Sequence, residues 1–209
     1  MKITLINGSP RRKNSASAFL LKELSEKPAD CVCTEIALHA RGTVTDTAVS
    51  ELLESDALVL AFPLYVDGVP SHLLAELCEM QRLLAGRKPL SVYAMVNCGF
   101  FEGQQAKTAL RIVENWCVRC GFGWCGGIGV GGGGMLLSLR NVPAGHGPRK
   151  PVSEAVSCLS EAIRESRPMN NRFVSPAFPR LLYKLAAQSG WREEIRKNGL
   201  RSKDLSRRL

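Results

Sequence analysis

The chain has 209 residues, 45% of them hydrophobic, which suits one domain with a sizeable core or one domain plus a short appendage. No stretch approaches the roughly 20 apolar residues of a membrane-spanning helix, and the start of the chain lacks a signal-peptide layout, so a cytoplasmic protein with no membrane contact is expected. Lys and Arg number 28 against 19 Asp and Glu, a formal charge of +9, but the cations are not interleaved with stacking aromatics in the manner of a nucleic-acid binder, and nucleic acid is not an expected partner.

The elements alternate between short strand-like runs and longer helical ones. Residues 3–7 (ITLIN) read as a buried strand, and 15–26 as a helix with Ala16, Leu20 and Leu24 four apart. CVCTEIAL (31–38) alternates like a strand, 45–54 suits a short helix, and ALVLAF (57–62) is a continuous apolar run. Within 68–84, Leu73, Leu77, Met80 and Leu84 form a helix's core stripe. LSVYAMVN (90–97) is a strand, and 103–120 carries a second stripe through Ala106, Leu110, Val113, Cys117 and Cys120. GWCGGIGV (123–130) is a glycine-rich fifth strand, and 151–165 a helix with Val152, Val156, Leu159 and Ile163 on one face. Between them, the glycine run 131–134 and residues 141–151 read as one long irregular loop. After residue 168 an irregular link leads to helical pieces at 181–187 and 191–197. From Arg180 onward, nine cations stand against Glu193, Glu194 and Asp204; this reads as a basic tail. Strands written as apolar runs are covered on both faces, so the prediction is five parallel strands between helix layers.

In such a sheet ligands sit beyond the carboxyl ends of the strands, beside the strand where the order reverses. The first loop, GSPRRKNSAS (8–17), stands at that place. The helix it enters offers free backbone N–H groups and a partial positive charge; Ser9, Ser15 and Ser17 add hydroxyls, and Arg11 or Arg12 adds charge. A P-loop is excluded because Lys13 is followed by Asn14, and a dinucleotide loop because only Gly8 is present. The second strand also ends in Ala37–Leu38–His39, without an acid for an adenosine ribose. A hydroxyl-rich loop of this kind suits a terminal phosphate monoester.

These residues carry a resemblance. GSPRRKNSAS, FPLYVDGVPSHL (62–73) and NCGFFEGQQAKTAL (97–110) resemble, in order, the three cofactor loops of the flavodoxin-like NAD(P)H-dependent FMN reductase family, and FPRLLYKLAAQSGWREEIRKNGL (178–200) resembles tails in one branch of it. Relatives often carry Asn–Thr where this chain has Ala16–Ser17, so a side-chain contact is missing at 16 and its backbone N–H remains. The resemblance implies a flavodoxin-like three-layer sandwich with strand order 2-1-3-4-5, an FMN domain over 1–167 and a basic helical extension over 168–209. It implies an oxidoreductase that passes hydride from NADH or NADPH through FMN to a small acceptor, and a homodimer. The implied cofactor contacts are Ser9, Arg11, Ser15, Ala16 and Ser17 at the phosphate, and Pro63, Leu64, Tyr65, Val66, Asn97, Cys98 and Gly99 around the flavin ring. Two alternatives stay open: an electron carrier without a pyridine-nucleotide site, against which the basic charge and long tail count, and a non-enzymatic FMN-binding sensor.

The remaining chemistry-bearing residues read as structural. Cys117 and Cys120 lie on a core stripe, as free cysteine often does, so no metal site is expected. Cys98 sits in a cofactor loop, as a reactive or a packed thiol. His39, His72 and His146 form no constellation and read as surface residues, which hydride transfer through a cofactor allows.

Overall fold

Ile3, Thr4, Leu5 and Ile6 are all buried, the mark of a strand with helices on both sides. The computed structural model describes residues 1–206 apart from Pro28, Ala29, Arg41, Thr43, Ala85 and Arg87; the tail cations Arg207 and Arg208 lie outside the described residues. The chain divides into a unit of residues 1–176 and a second of 177–209.

The first unit is a parallel sheet wrapped by helices. Its elements are β1 (Lys2–Asn7), α1 (Ala16–Ser25), β2 (Val32–Ala37), α2 (Asp46–Glu54), β3 (Ala57–Pro63), α3 (Ser71–Leu84), β4 (Ser91–Asn97), α4 (Lys107–Cys120), β5 (Gly123–Val130), α5 (Gly133–Leu136), α6 (Lys150–Arg164) and β6 (Arg172–Val174). The order is β2-β1-β3-β4-β5-β6, every pair parallel.

Alternation along β3 shows how the layers are held. Leu58, Leu60 and Phe62 pack with Leu73, Leu77 and Met80 of α3 and with Leu110 and Val113 of α4. Ala57, Val59 and Ala61 face the other way, onto Leu20, Leu21 and Leu24 of α1 and Val152, Val156 and Leu159 of α6. Each fully buried Leu contributes about 1.5–3 kcal/mol, so each apolar stripe fixes the face on which its helix sits.

The sheet has six strands, not the five predicted. The sixth is three residues long, with Arg172, Phe173 and Val174 opposite Ile128, Gly129 and Val130. Three residues carry no readable periodicity; the strand is held by partners far away in sequence. Asn171 Oδ1 accepts the Gly127 N–H at 3.0 Å, and the Val174 carbonyl accepts the Gly131 N–H at 2.8 Å. The glycines of β5 make room for this edge: Gly126 has φ +101, where a Cβ would stand 2.2 Å from the Met169 carbonyl oxygen.

The long loop after β5 is also more ordered than predicted. Gly132 turns the chain at φ 64, its carbonyl accepts the N–H of Met135 and Leu136, and α5 and a 3-10 turn over Leu137–Leu139 follow. In the second unit, α7 (Arg180–Lys197) is one helix where two pieces were predicted. Gly190 within it costs about 1 kcal/mol relative to alanine without interrupting the helix.

Candidate cofactor site

β1, β3, β4 and β5 end in register at one edge, with Asn7 beside Ala61, Pro63 beside Asn97, and Asn97 beside Val130. The loops that follow border a cleft of about 250 Å³, open to solvent. Spanning four strands, it is roughly 14 Å long at ordinary strand spacing.

The β1 end of the cleft is polar. Ser9, Arg11, Ser15, Ala16 and Ser17 line it, and the three serines are more than nine-tenths buried. Each serine oxygen already accepts a hydrogen bond: Ser9 Oγ from Arg11 N–H at 3.2 Å, Ser15 Oγ from Ala18 N–H at 3.0 Å, and Ser17 Oγ from Asn97 Nδ2 at 2.8 Å. With a lone pair so occupied, each hydroxyl keeps its proton to donate. Ser15 is the N-cap of α1, whose first turn holds no acidic residue. Three serine hydroxyls, the first-turn N–H groups and the Arg11 cation stand here, and among the described residues no acidic one lines the cleft. That set fits a phosphate dianion.

The opposite end is apolar and rich in backbone. Pro63, Leu64 and Tyr65 contribute from the β3 loop, Gly99 from the β4 loop, and Gly133, Gly134 and Leu137 from α5 and the turn after it. The lining thus suits a ligand with an anion at one end and an apolar body at the other. The glycine run 131–134, read in the sequence only as part of a long irregular loop, supplies two wall positions. Leu137 was missed, because nothing in the sequence marks the helical turn that presents it.

Asn97 lines the cleft, but its amide is committed: Nδ2 also donates to the Phe62 carbonyl at 3.1 Å, so one side chain joins the β4 end, the β3 end and α1. Val66 and Cys98 are not among the residues lining the cleft. Val66 tops a tight turn between Tyr65 and Gly68, with Asp67; both central residues have positive φ, 48 and 56, as a type I′ turn requires, and the Val66 side chain is fully exposed. Cys98 is buried, its thiol directed at the carbonyls of Phe100 and Glu102 and its backbone bonded to Val130 and Gly133. Burial pushes the Cys98 thiol up to about 11. Cys120 is pushed equally far by burial, and Cys117 higher still, by burial and then by its cysteine neighbours.

His39 and His72, predicted as surface residues, are only partly exposed. Both are half-buried and bonded to the first loop, His39 to the Ser9 carbonyl and His72 to that of Gly8. Their positions, one just past a strand's carboxyl end and one at a helix start beside the second loop, were the available signal.

No protein-family model and no curated protein matches the sequence. Solved structures do match. NADH:FMN oxidoreductase in its apo form superposes with a TM-score of 0.58 at 18% identity, covering 79% of this chain and 89% of that one. The flavodoxin of Streptococcus pneumoniae TIGR4 gives 0.53 at 13% identity, over 79% and 99%. An NADPH-quinone reductase from P. pentosaceus gives 0.50 at 17% identity, over 68% and 100%. At these identities the likeness is one of fold, and it agrees with the strand order and the helix layers: the chain has the flavodoxin-like fold.

Proposed function

We propose that the cleft binds FMN non-covalently and that the protein is an NAD(P)H-dependent oxidoreductase. One observation carries the reading: three buried serine hydroxyls, each used as an acceptor and each with its proton left to donate, stand at the polar end of a cleft whose other end is apolar. Ser9, Ser15, Ser17, Arg11 and the Ala16 and Ser17 N–H groups hold the phosphate. Pro63, Leu64, Tyr65 and Gly99 border the ring; Val66 and Cys98 shape their loops from outside the cleft.

Bound FMN accepts a hydride from NADH or NADPH and passes the electrons to a small acceptor such as a free flavin or a quinone. The chain supplies position: half-exposed Tyr65 lines the cleft, and Phe100, in the loop after β4, is exposed. A general acid or base at the reacting atoms is not needed for hydride transfer. A homodimer in the cytoplasm, with these aromatics at the subunit contact, completes the reading. Two proteins of the same fold, NADH:FMN oxidoreductase and NADPH-quinone reductase, are reductases by name, which favours turnover over simple electron carriage, as does the charge of +9.

Anaerobic titration of the FMN-loaded protein with NADH and then NADPH tests this. Bleaching of the flavin absorbance at one equivalent of either nucleotide is expected. Binding of FMN without bleaching means a carrier, and failure to bind FMN refutes the cofactor assignment.

A further inference from the structure

The first loop is held from behind by side chains that the reading above leaves unused. His39, two residues beyond β2, bonds through Nδ1 to the Ser9 carbonyl at 2.6 Å. His72, the second residue of α3, bonds through Nε2 to the Gly8 carbonyl at 3.2 Å. A carbonyl only accepts, so each of these nitrogens carries the proton. Gly8 also lies directly on α3, where a Cβ would stand 2.4 Å from Cδ2 of Leu73. The segment after His39 is fastened to the same helix by the buried Glu76, whose carboxylate accepts Gly42 N–H at 2.6 Å and Val44 N–H at 2.8 Å.

Carbonyl oxygens carry partial negative charge and repel a nearby dianion. Gly8 and Ser9 bring two of them beside the buried Ser9 hydroxyl, and the Ser9 carbonyl precedes Pro10, so no backbone N–H follows it to compensate. The two imidazoles occupy both carbonyls. The Ser9 N–H is taken by Asn7 Oδ1 at 3.2 Å, and the Gly8 N–H by the Ala61 carbonyl at 2.8 Å. The backbone of Gly8 and Ser9 is thereby held at every polar group, and the Ser9 hydroxyl is left to rotate.

We propose that His39 and His72 are positioning residues of the anion loop, keeping the Gly8 and Ser9 carbonyls from the phosphate and fixing Ser9 for it, with α3 as their common support. This rests on the reading that the cleft takes the FMN phosphate. The test is the affinity of the flavin-free, full-length protein for FMN and for riboflavin, which lacks the phosphate, in His39→Ala and His72→Ala. Each loss of a hydrogen bond at the anion is expected to weaken FMN by roughly tenfold and to leave riboflavin within about twofold. His39→Asn and His72→Gln, whose amides reach the places of Nδ1 and Nε2, restore FMN. Should an alanine variant not fold, His39→Gln and His72→Asn, with the amide one methylene out of place, give the same comparison. Equal losses for both flavins, unchanged FMN affinity, or no restoration by the matching amides overturns the proposal. If the wild type holds riboflavin as tightly as FMN, the cofactor reading falls by itself. Thermal stabilisation by inorganic phosphate, present in the wild type and lost in the alanine variants, then still supports the histidine clamp, and its absence from the wild type overturns both.

Discussion

Ser17 is the residue on which the proposed phosphate contact turns most directly. It is buried in the first turn of α1, and its oxygen is already bonded to Asn97. Ser17→Glu puts a carboxylate where a dianion must sit and removes a charge-assisted donor; FMN affinity is expected to fall at least ~100-fold, read by flavin retention on purification and by fluorescence titration. Ser17→Ala removes only the donor and is expected to cost about tenfold. Among the thiols, Cys78 is exposed while Cys98, Cys117 and Cys120 are buried. Labelling with a thiol reagent at neutral pH is expected to show a fast phase that Cys78→Ser removes, with Cys98 protected until the protein unfolds. The Cys98 and Cys120 thiols ionise near 11 in the folded protein against an ordinary 9.0. A raised value means that the folded state holds the proton more tightly. Their contribution is therefore complete below pH 9 and is lost as pH rises through about 11. Urea midpoints are expected to fall over that window, and less so in Cys98→Ala corrected for its own baseline.

At the scale of elements, α1 is tied to the segment ahead of α6 by a buried ion pair. Arg149 donates from Nε and Nη2 to Glu23 Oε2 at 3.2 and 2.8 Å and from Nη1 to the Val142 carbonyl at 2.8 Å, and its guanidinium lies 4.7 Å from the centre of the Phe19 ring. The other Glu23 oxygen is buried without a hydrogen-bond partner among the described residues. Burying two charges costs much of what their attraction returns, but removing one leaves the other stranded. Arg149→Met is expected to destabilise by roughly 3–5 kcal/mol, and the double variant Glu23→Leu/Arg149→Met to recover most of it; urea denaturation of the wild type and the two variants measures both. This pair holds α1 in its last turn, Asn97 holds it by its start, and α3 backs the loop that enters it. The proposed anion site is thus an element-level construction, although its donors are single residues.

For the molecule as a whole, the first unit contains all six strands and both hydrophobic clusters. A chain ending at Ser175 is therefore expected to fold with the cooperativity of the full chain and to keep the cleft. The tail after Arg180 is basic, and its helix exposes Leu181, Leu182, Leu185 and Trp191; exposed apolar groups of this size mark interaction sites when contiguous. Light scattering at micromolar concentration is expected to give a dimer for the full chain, held by the Tyr65 and Phe100 loops with the tail adding to it, and a weaker dimer for the truncated one. A dimer of equal strength in both assigns the contact to the first unit alone, and a fully active monomer in the full chain refutes the proposed pairing.

Apolar runs, helical stripes and the hydroxyl-rich loop are local signals, and by themselves they determined five of the six strands, the helices α1 to α4 and α6, and the loops that meet at one sheet edge. They succeed because burial on both faces of a parallel sheet writes itself into consecutive residues, and because a strand-to-helix loop beside the point of order reversal faces the ligand whatever the rest of the chain does. Only the tertiary structure decided the rest. β6 has three residues and is held by β5, more than 40 positions earlier. Cys98 turns its thiol away from the cleft because two carbonyls of its own loop accept it. Asn97 meets Ser17 across 80 residues, Arg149 meets Glu23 across 126, and His39 and His72 reach the first loop across 30 and 64. Contacts of that span depend on the register of the strands and the seating of helices on them, to which the identity of a single histidine or asparagine gives no local clue.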